Sequence, residues 1–280
     1  MTEFAAAPGA SAQSAGEVEI LADADRPGGW LLLIDRIRQS YVDLDDPTYL
    51  DFEYVQVLAQ LLDALPAGRL RVTHIGGGAG TVARYVAVTR PGSPQIVLEP
   101  DAALTALVRA RLPFPRSARI RVRATDGRSG VAALADASAD VVVLDAFAGG
   151  RVPAELTTQE FLADVARVLG AGGVFLANVA DGHPLTYTRR VLATLRTQFG
   201  ATLLVTDPAL LKGRRYANVV FAAGAVLPVG DVRRAAAGAA FPRAVRTSLP
   251  GDAKPLTDDD PMRSPPPPEE SWRIPREDEY

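Results

Sequence analysis

Cysteine is absent from this 280-residue chain, which removes disulfides, thiolate nucleophiles and thiolate metal sites together. Only two histidines occur, His74 and His183, too few for an imidazole-built metal site, so no metal is expected. No stretch approaches the roughly 20 apolar residues of a membrane-spanning helix. An excess of charge is missing too. The 30 Lys and Arg face 33 Asp and Glu, a net charge of −3, which gives no electrostatic reason to expect nucleic acid as a partner. Residues 1–15 lack the basic start and apolar core of a secretory signal, and the expected location is the cytoplasm. Hydrophobic residues make up 48% of the chain, enough for a core that needs no staples.

The most informative stretch is Val72-Thr73-His74-Ile75-Gly76-Gly77-Gly78-Ala79-Gly80-Thr81. A hydrophobic strand that breaks into glycines and opens a helix brings backbone N–H groups up against a ligand. Glu99 follows about 20 residues later, at the tip of the next strand, where an acid grips the two hydroxyls of a ribose. The pattern therefore points to a nucleoside. Gly76, Gly78 and Gly80 read G-x-G-x-G, whereas the dinucleotide fingerprint G-x-G-x-x-G would put Thr81 in its last place. The loop suits S-adenosylmethionine or a relative better than NAD.

Around this stretch the chain has a regular rhythm. Residues 1–16 are Ala/Ser/Gly-rich and read as disordered. Residues 17–50 hold strand-like runs at Val18–Leu21, Trp30–Ile34 and near Ile37–Val42, a small N-terminal β-unit. Residues 51–240 open with a helical pattern over Phe52–Leu65, and strands then alternate with helices from Leu70 to Ala222. Thr157-x-x-Glu160 reads as a capping box. Such alternation predicts an α/β Rossmann-like fold of the class I methyltransferase type, with a mostly parallel seven-stranded sheet covered on both faces. One of the last two strands, Thr202–Val205 and Asn218–Ala222, is expected to run antiparallel because only a loop joins them. Residues 241–280 are Pro- and acid-rich and read as a largely disordered tail.

Ligands in open α/β sheets sit over the carboxyl ends of the strands. The residues placed there are Gly76, Gly77, Gly78 and Gly80, Glu99, Asp126-Gly127, Asp145 and the stretch after Asn178. Asp126 either presents a carboxylate to an adenine amino group or forms a plain Asp-Gly turn. Asp145 either deprotonates an attacking amine or hydroxyl or caps a helix. The loop Asp207–Tyr216, with Lys212, Arg214 and Arg215, is either a lid over an anionic acceptor or a solvated basic hairpin.

In this order along one chain, the pieces resemble the spermidine synthases, or aminopropyltransferases. The likeness covers residues 17–225. It rests on the N-terminal β-unit, Gln39-Ser40-Tyr41, Asp51-Phe52-Glu53-Tyr54, Ile75-Gly76-Gly77-Gly78, Glu99-Pro100-Asp101, Asp126-Gly127 and Val141–Asp145 followed by Leu156–Phe161. The resemblance implies transfer of an aminopropyl group from decarboxylated S-adenosylmethionine to an amine, a step of polyamine metabolism. It assigns Tyr54 and Gln39 to the acceptor pocket, Glu99 to the ribose, Asp126 to the adenine and Asp145 to the base. It also implies pairing of two copies through the N-terminal β-unit.

Three positions depart from the family. Ala79 stands where the family has an aspartate for the donor's amino group. Ala148 replaces a second pocket acid, and Val55 replaces a polar residue after Tyr54. A dication with one ammonium unpaired in a cleft loses several kcal/mol, so the pocket reads as too apolar for putrescine. Three readings follow: an aminopropyltransferase with an altered acceptor, an S-adenosylmethionine-dependent methyltransferase acting on an amine or hydroxyl, and a non-catalytic homologue that binds a nucleoside or a partner.

Overall fold

The computed structural model describes residues 4–6 and 16–268, and it divides them between two sheets. The smaller sheet is antiparallel: β1 (Phe4–Ala6), β2 (Val18–Asp23), β3 (Gly29–Ile34) and β4 (Ile37–Asp43), paired in chain order. The expectation of disorder over 1–16 otherwise falls outside the described residues.

The larger part follows as α1 (Glu53–Asp63), β5 (Val72–Ile75), α2 (Thr81–Thr89), β6 (Gln95–Leu98), α3 (Ala102–Arg111) and β7 (Ile120–Arg123). It continues through α4 (Gly127–Ala132), β8 (Ala139–Leu144), α5 (Gln159–Val168), β9 (Leu169–Asp181) and α6 (Thr186–Gln198). It closes with β10 (Ala201–Thr206), α7 (Pro208–Leu211), β11 (Ala217–Gly224), α8 (Val229–Ala237) and β12 (Ala244–Arg246). The strand order is β12-β10-β11-β9-β8-β5-β6-β7. Strands β9, β8, β5, β6 and β7 are mutually parallel, and β11 runs antiparallel to both β9 and β10. This is the expected α/β fold with its seven strands. An eighth, β12, adds antiparallel to the β10 edge.

Strand β8 shows why the sheet is covered on both faces. Val141 and Val143 enter one cluster with Leu58, Leu62, Val82 and Val86, while Val142 and Leu144 enter the other with Phe161, Val165 and Leu195. With the side chains alternating and both sets buried, the strand reads as a continuous apolar run. A third cluster joins the sheets: Ile20, Leu32 and Val42 pack on Leu104, Val108 and Leu112 of α3 and its C-terminal cap, with the Ala79 methyl group among them.

Two expectations are corrected here. The tail is not disordered over residues 244–268. Leu256 and Ser264 are wholly buried, Arg128 pairs with Asp258, and Arg190 pairs with Asp260 (each 2.5 Å). Its prolines remove backbone donors while its acids find arginines on the body, so low hydrophobicity here signals a docked strap. The capping box is also displaced by one residue. Thr158, not Thr157, caps α5 by accepting from the Phe161 N–H, and Glu160 accepts instead from the Asp258 N–H (2.9 Å) on the strap.

Candidate active site

The glycine loop leaves β5 with three left-handed glycines, Gly76 (φ 95°), Gly78 (φ 46°) and Gly80 (φ 75°), which L side chains adopt at a cost. Closeness matters as much as torsion. A Cβ on Gly76 would lie 2.3 Å from the Asp145 carbonyl oxygen, and one on Gly78 would lie 2.5 Å from Ser40 Oγ. Glycine at 76 thus lets the tips of β5 and β8 touch, which sets Asp145 beside the loop.

Most of the loop's N–H groups are already occupied, which narrows the expectation of bare donors. Gly76 N–H donates to the Leu98 carbonyl, Gly77 N–H to Glu99 Oε2 (2.8 Å), Ala79 N–H to Ser40 Oγ (3.2 Å) and Gly80 N–H to the Gly77 carbonyl. Among the described residues, only the Gly78 N–H of this loop has no partner. The far side of the loop is held by Arg84, buried beneath it. Its guanidinium donates to the carbonyls of Ala79, Leu112 and Pro113, and burial pulls its pKa down to about 10. It remains a cation that fixes carbonyl groups.

Glu99 is 9% exposed, and both its oxygens are engaged: Oε2 by Gly77 and Oε1 by the Asp101 N–H (2.9 Å). A carboxylate has about four lone-pair sites, so acceptor capacity remains for two hydroxyls. Asp126 caps α4 through the Ser129 N–H (2.8 Å) and still lines the cleft, so turn geometry and cleft position coexist. Gly127 serves packing, since a Cβ there would lie 2.3 Å from Ile75 Cγ2. These residues bound a cleft of ≈440 Å³ that Asp126, Glu99, Gly78 and Asp145 all line.

Asp145 is held by two side chains. Tyr54 Oη donates to its Oδ2 (3.2 Å), and Asn178 Nδ2 donates to its Oδ1 (2.9 Å). Asn218 Nδ2 in turn donates to Asn178 Oδ1 (3.0 Å), which fixes the orientation of the Asn178 amide. Burial raises the Asp145 carboxyl above the ordinary carboxylate range, against the two hydrogen bonds that lower it. Burial and the neighbouring Asp145 charge hold the Tyr54 phenol well above its usual value, so it stays a neutral donor. A second chamber of ≈340 Å³ opens beyond this group, lined by Tyr54, Asn178 and Asn218 at one end and by Arg38, Arg215 and Arg243 elsewhere. Gln39, Tyr54 and Phe147 line both spaces.

Every site residue expected from the sequence therefore borders one of two adjoining spaces. Sequence reasoning gives Ser40 no role beyond its place in Gln39-Ser40-Tyr41, marks Asn178 only as the start of a strand-end stretch, and does not mark Asn218 as a site residue. Asn178 carried a signal, a lone amide inside the apolar run Val174–Val179 and wholly buried. Among the described residues no group of three His, Cys, Asp or Glu is placed to hold a metal ion, and no helix is long and apolar enough to cross a membrane.

The fold and the placement of these clefts define a class I methyltransferase-type α/β scaffold carrying an extra N-terminal antiparallel sheet. A probable spermidine synthase from Corynebacterium glutamicum superposes with a TM-score of 0.79 at 32% identity, covering 89% of this chain and 97% of that one. The chain belongs to the spermidine synthase family. A polyamine aminopropyltransferase of Vibrio vulnificus is 33% identical over 132 residues, 46% of this chain and 44% of that protein. The chain spans about half the length of the curated relatives it matches. A spermidine synthase solved with the transition-state analogue AdoDATO shares the fold at a TM-score of 0.60 and 21% identity, covering 79% of this chain and 75% of that one. No protein-family model matches the chain.

Proposed function

We propose that this protein is a spermidine synthase-like transferase. In this reading it binds S-adenosylmethionine or its decarboxylated form in the glycine-loop cleft and transfers a group to an amine in the second chamber. The observation that carries it is Asp145, a half-buried carboxylate in the glycine-loop cleft whose pKa is raised by desolvation and whose two partners, Tyr54 and Asn178, line the second chamber. The cleft suits a nucleoside sulfonium: glycines leave room beside Glu99, whose spare lone pairs meet ribose hydroxyls, and Asp126 lines the same cleft for an adenine amino group. When bound, such a donor supplies an electrophilic carbon next to positively charged sulfur.

The chain's own groups do the rest. Tyr54 and Asn178 fix the Asp145 carboxylate, and desolvation makes it a stronger base than a solvated aspartate. A neutral amine nitrogen attacks the carbon, and the C–N bond forms as the C–S bond breaks. The electron pair leaves on sulfur as a neutral thioether, and the ammonium proton passes to Asp145. Methyl transfer on the same scaffold is the second reading. Ala79 favours it, because the full donor keeps a carboxylate that an aspartate at this position would repel, and the buried methyl group there brings no such charge.

Calorimetry with S-adenosylmethionine, its decarboxylated form and methylthioadenosine side by side tests the assignment. Selective tight binding of the decarboxylated form supports aminopropyl transfer, and preference for the full form supports methyl transfer. Binding of none leaves a non-catalytic homologue. Pairing of two copies through the N-terminal sheet and a cytoplasmic location belong to the same proposal.

A further inference from the structure

The second chamber has an unusual charge balance for a space meant to hold an amine. Three acids and three arginines line it, Asp51, Glu53 and Asp207 against Arg38, Arg215 and Arg243. Two pairs cancel: Arg38 with Asp51 and Arg215 with Asp207, each at 2.8 Å. Asp207 also accepts from the Ala209 N–H, so it is spent on the turn that opens α7. Glu53 is exposed at the first turn of α1.

Arg243 is the group left over. Among the described residues no carboxylate lies within salt-bridge reach of it. Its guanidinium instead meets two neutral acceptors, Gln60 Oε1 and Gln56 Oε1, one turn apart on α1. Gln56 is itself oriented by donating to the Leu50 carbonyl (2.8 Å). The Nε of Arg243 is buried with no hydrogen-bond partner. Burial lowers the affinity of this guanidinium for its proton, against the field of Glu53. A fixed, half-buried cation that forms no ion pair, with only the exposed Glu53 acting on it from a distance, attracts an anion of planar, forked geometry.

We propose that the acceptor is an amine bearing a carboxylate at its far end, its nitrogen at the Tyr54 and Asn178 end, where both residues hold Asp145, and its carboxylate facing Arg243. The inference rests on the transferase reading above and names its substrate class. It explains the missing second acid at Ala148: the family's dicationic acceptor needs acids at both ends, whereas an amino acid needs an acid at one end and a base at the other.

The test uses the intact protein with whichever donor it binds. Straight-chain ω-amino acids from 3-aminopropanoate to 6-aminohexanoate are compared with alkylamines of matching length and with putrescine, by release of the thioether nucleoside. One or more of the amino acids is expected to exceed its matching alkylamine and putrescine at least tenfold in kcat/KM. Arg243→Gln should raise KM for that amino acid at least tenfold with a smaller change in kcat. Gln60→Glu, which gives Arg243 a counter-ion in place, should also abolish the preference without removing the arginine. Alkylamines or putrescine used as well as the amino acids would overturn the inference while leaving the transferase reading intact. Donor binding without turnover of any amine in the series would overturn both.

Discussion

Glu99 offers the sharpest separation of structure from function, because its carboxylate does two jobs in the proposed site. Each oxygen accepts a backbone N–H, one from Gly77 and one from Asp101, in a setting 9% exposed. Glu99→Gln keeps the shape but must turn an NH₂ group toward one of those donors. One charge-assisted bond is lost and a buried donor is left facing another donor, at a cost of about 2–3 kcal/mol. For a domain of this size that corresponds to roughly 5–10 °C in Tm. Glu99→Ala loses both bonds but admits water, so its stability should fall by a similar amount. Affinity then reports the second job. If the free lone pairs hold ribose hydroxyls, both variants should bind methylthioadenosine at least tenfold more weakly, about 1.4 kcal/mol, by calorimetry at a temperature where each is folded. Thermal denaturation and calorimetry on the same samples separate the effects. A Glu99→Gln protein with wild-type Tm and wild-type affinity would refute both the loop-fixing role and the ribose assignment.

Further outcomes are expected at three other positions. Asp145→Asn should cut turnover by about 10²–10⁴ with donor affinity within a fewfold of wild type, and unchanged turnover with an identified acceptor would show that the proton leaves by another route. His74 is buried against Gln95 (2.8 Å), and burial pulls its pKa down to about 4. The unfolded chain therefore takes up this proton first as pH falls, so stability present above pH 6.5 is lost toward pH 4, by about 3 kcal/mol. Urea denaturation should show that loss blunted in His74→Met, and identical pH slopes for the two proteins would contradict it. Leu256 on the strap is wholly buried, so Leu256→Ala should cost about 2–5 kcal/mol, whereas a loosely attached tail would show no change.

Much of this was legible in the sequence because the signals were local. Strand periodicity, the glycine run and the acids at strand tips lie within a few residues of the features they specify: β5 breaks at Gly76, α2 opens at Thr81 and β6 ends just before Glu99, as that pattern implied. The rest depends on partners far away in the chain. The N–H groups of the glycine loop looked available until Ser40, 39 residues upstream of Ala79, was seen to claim one of them. The tail looked disordered because its composition is poor in apolar residues, yet Arg128 finds Asp258 across 130 residues. Arg243 had no local pattern at all, since its setting is made by Gln56 and Gln60 more than 180 residues earlier.

The strap also imposes an order on the protein's birth. Ser264 accepts from the Val152 N–H (2.8 Å) and its carbonyl receives Arg151 Nε (2.6 Å), while the Pro265 carbonyl receives the Tyr216 hydroxyl (2.9 Å). Arg243 likewise lies downstream of the last helix. A ribosome releases every residue lining the glycine-loop cleft by Leu156, and only later supplies β10, β11 and Arg243, which line the second chamber. A cut in the strap would therefore loosen the hold of Pro265 on Tyr216, which borders the second chamber, while leaving every residue that lines the glycine-loop cleft in an uncut stretch of chain.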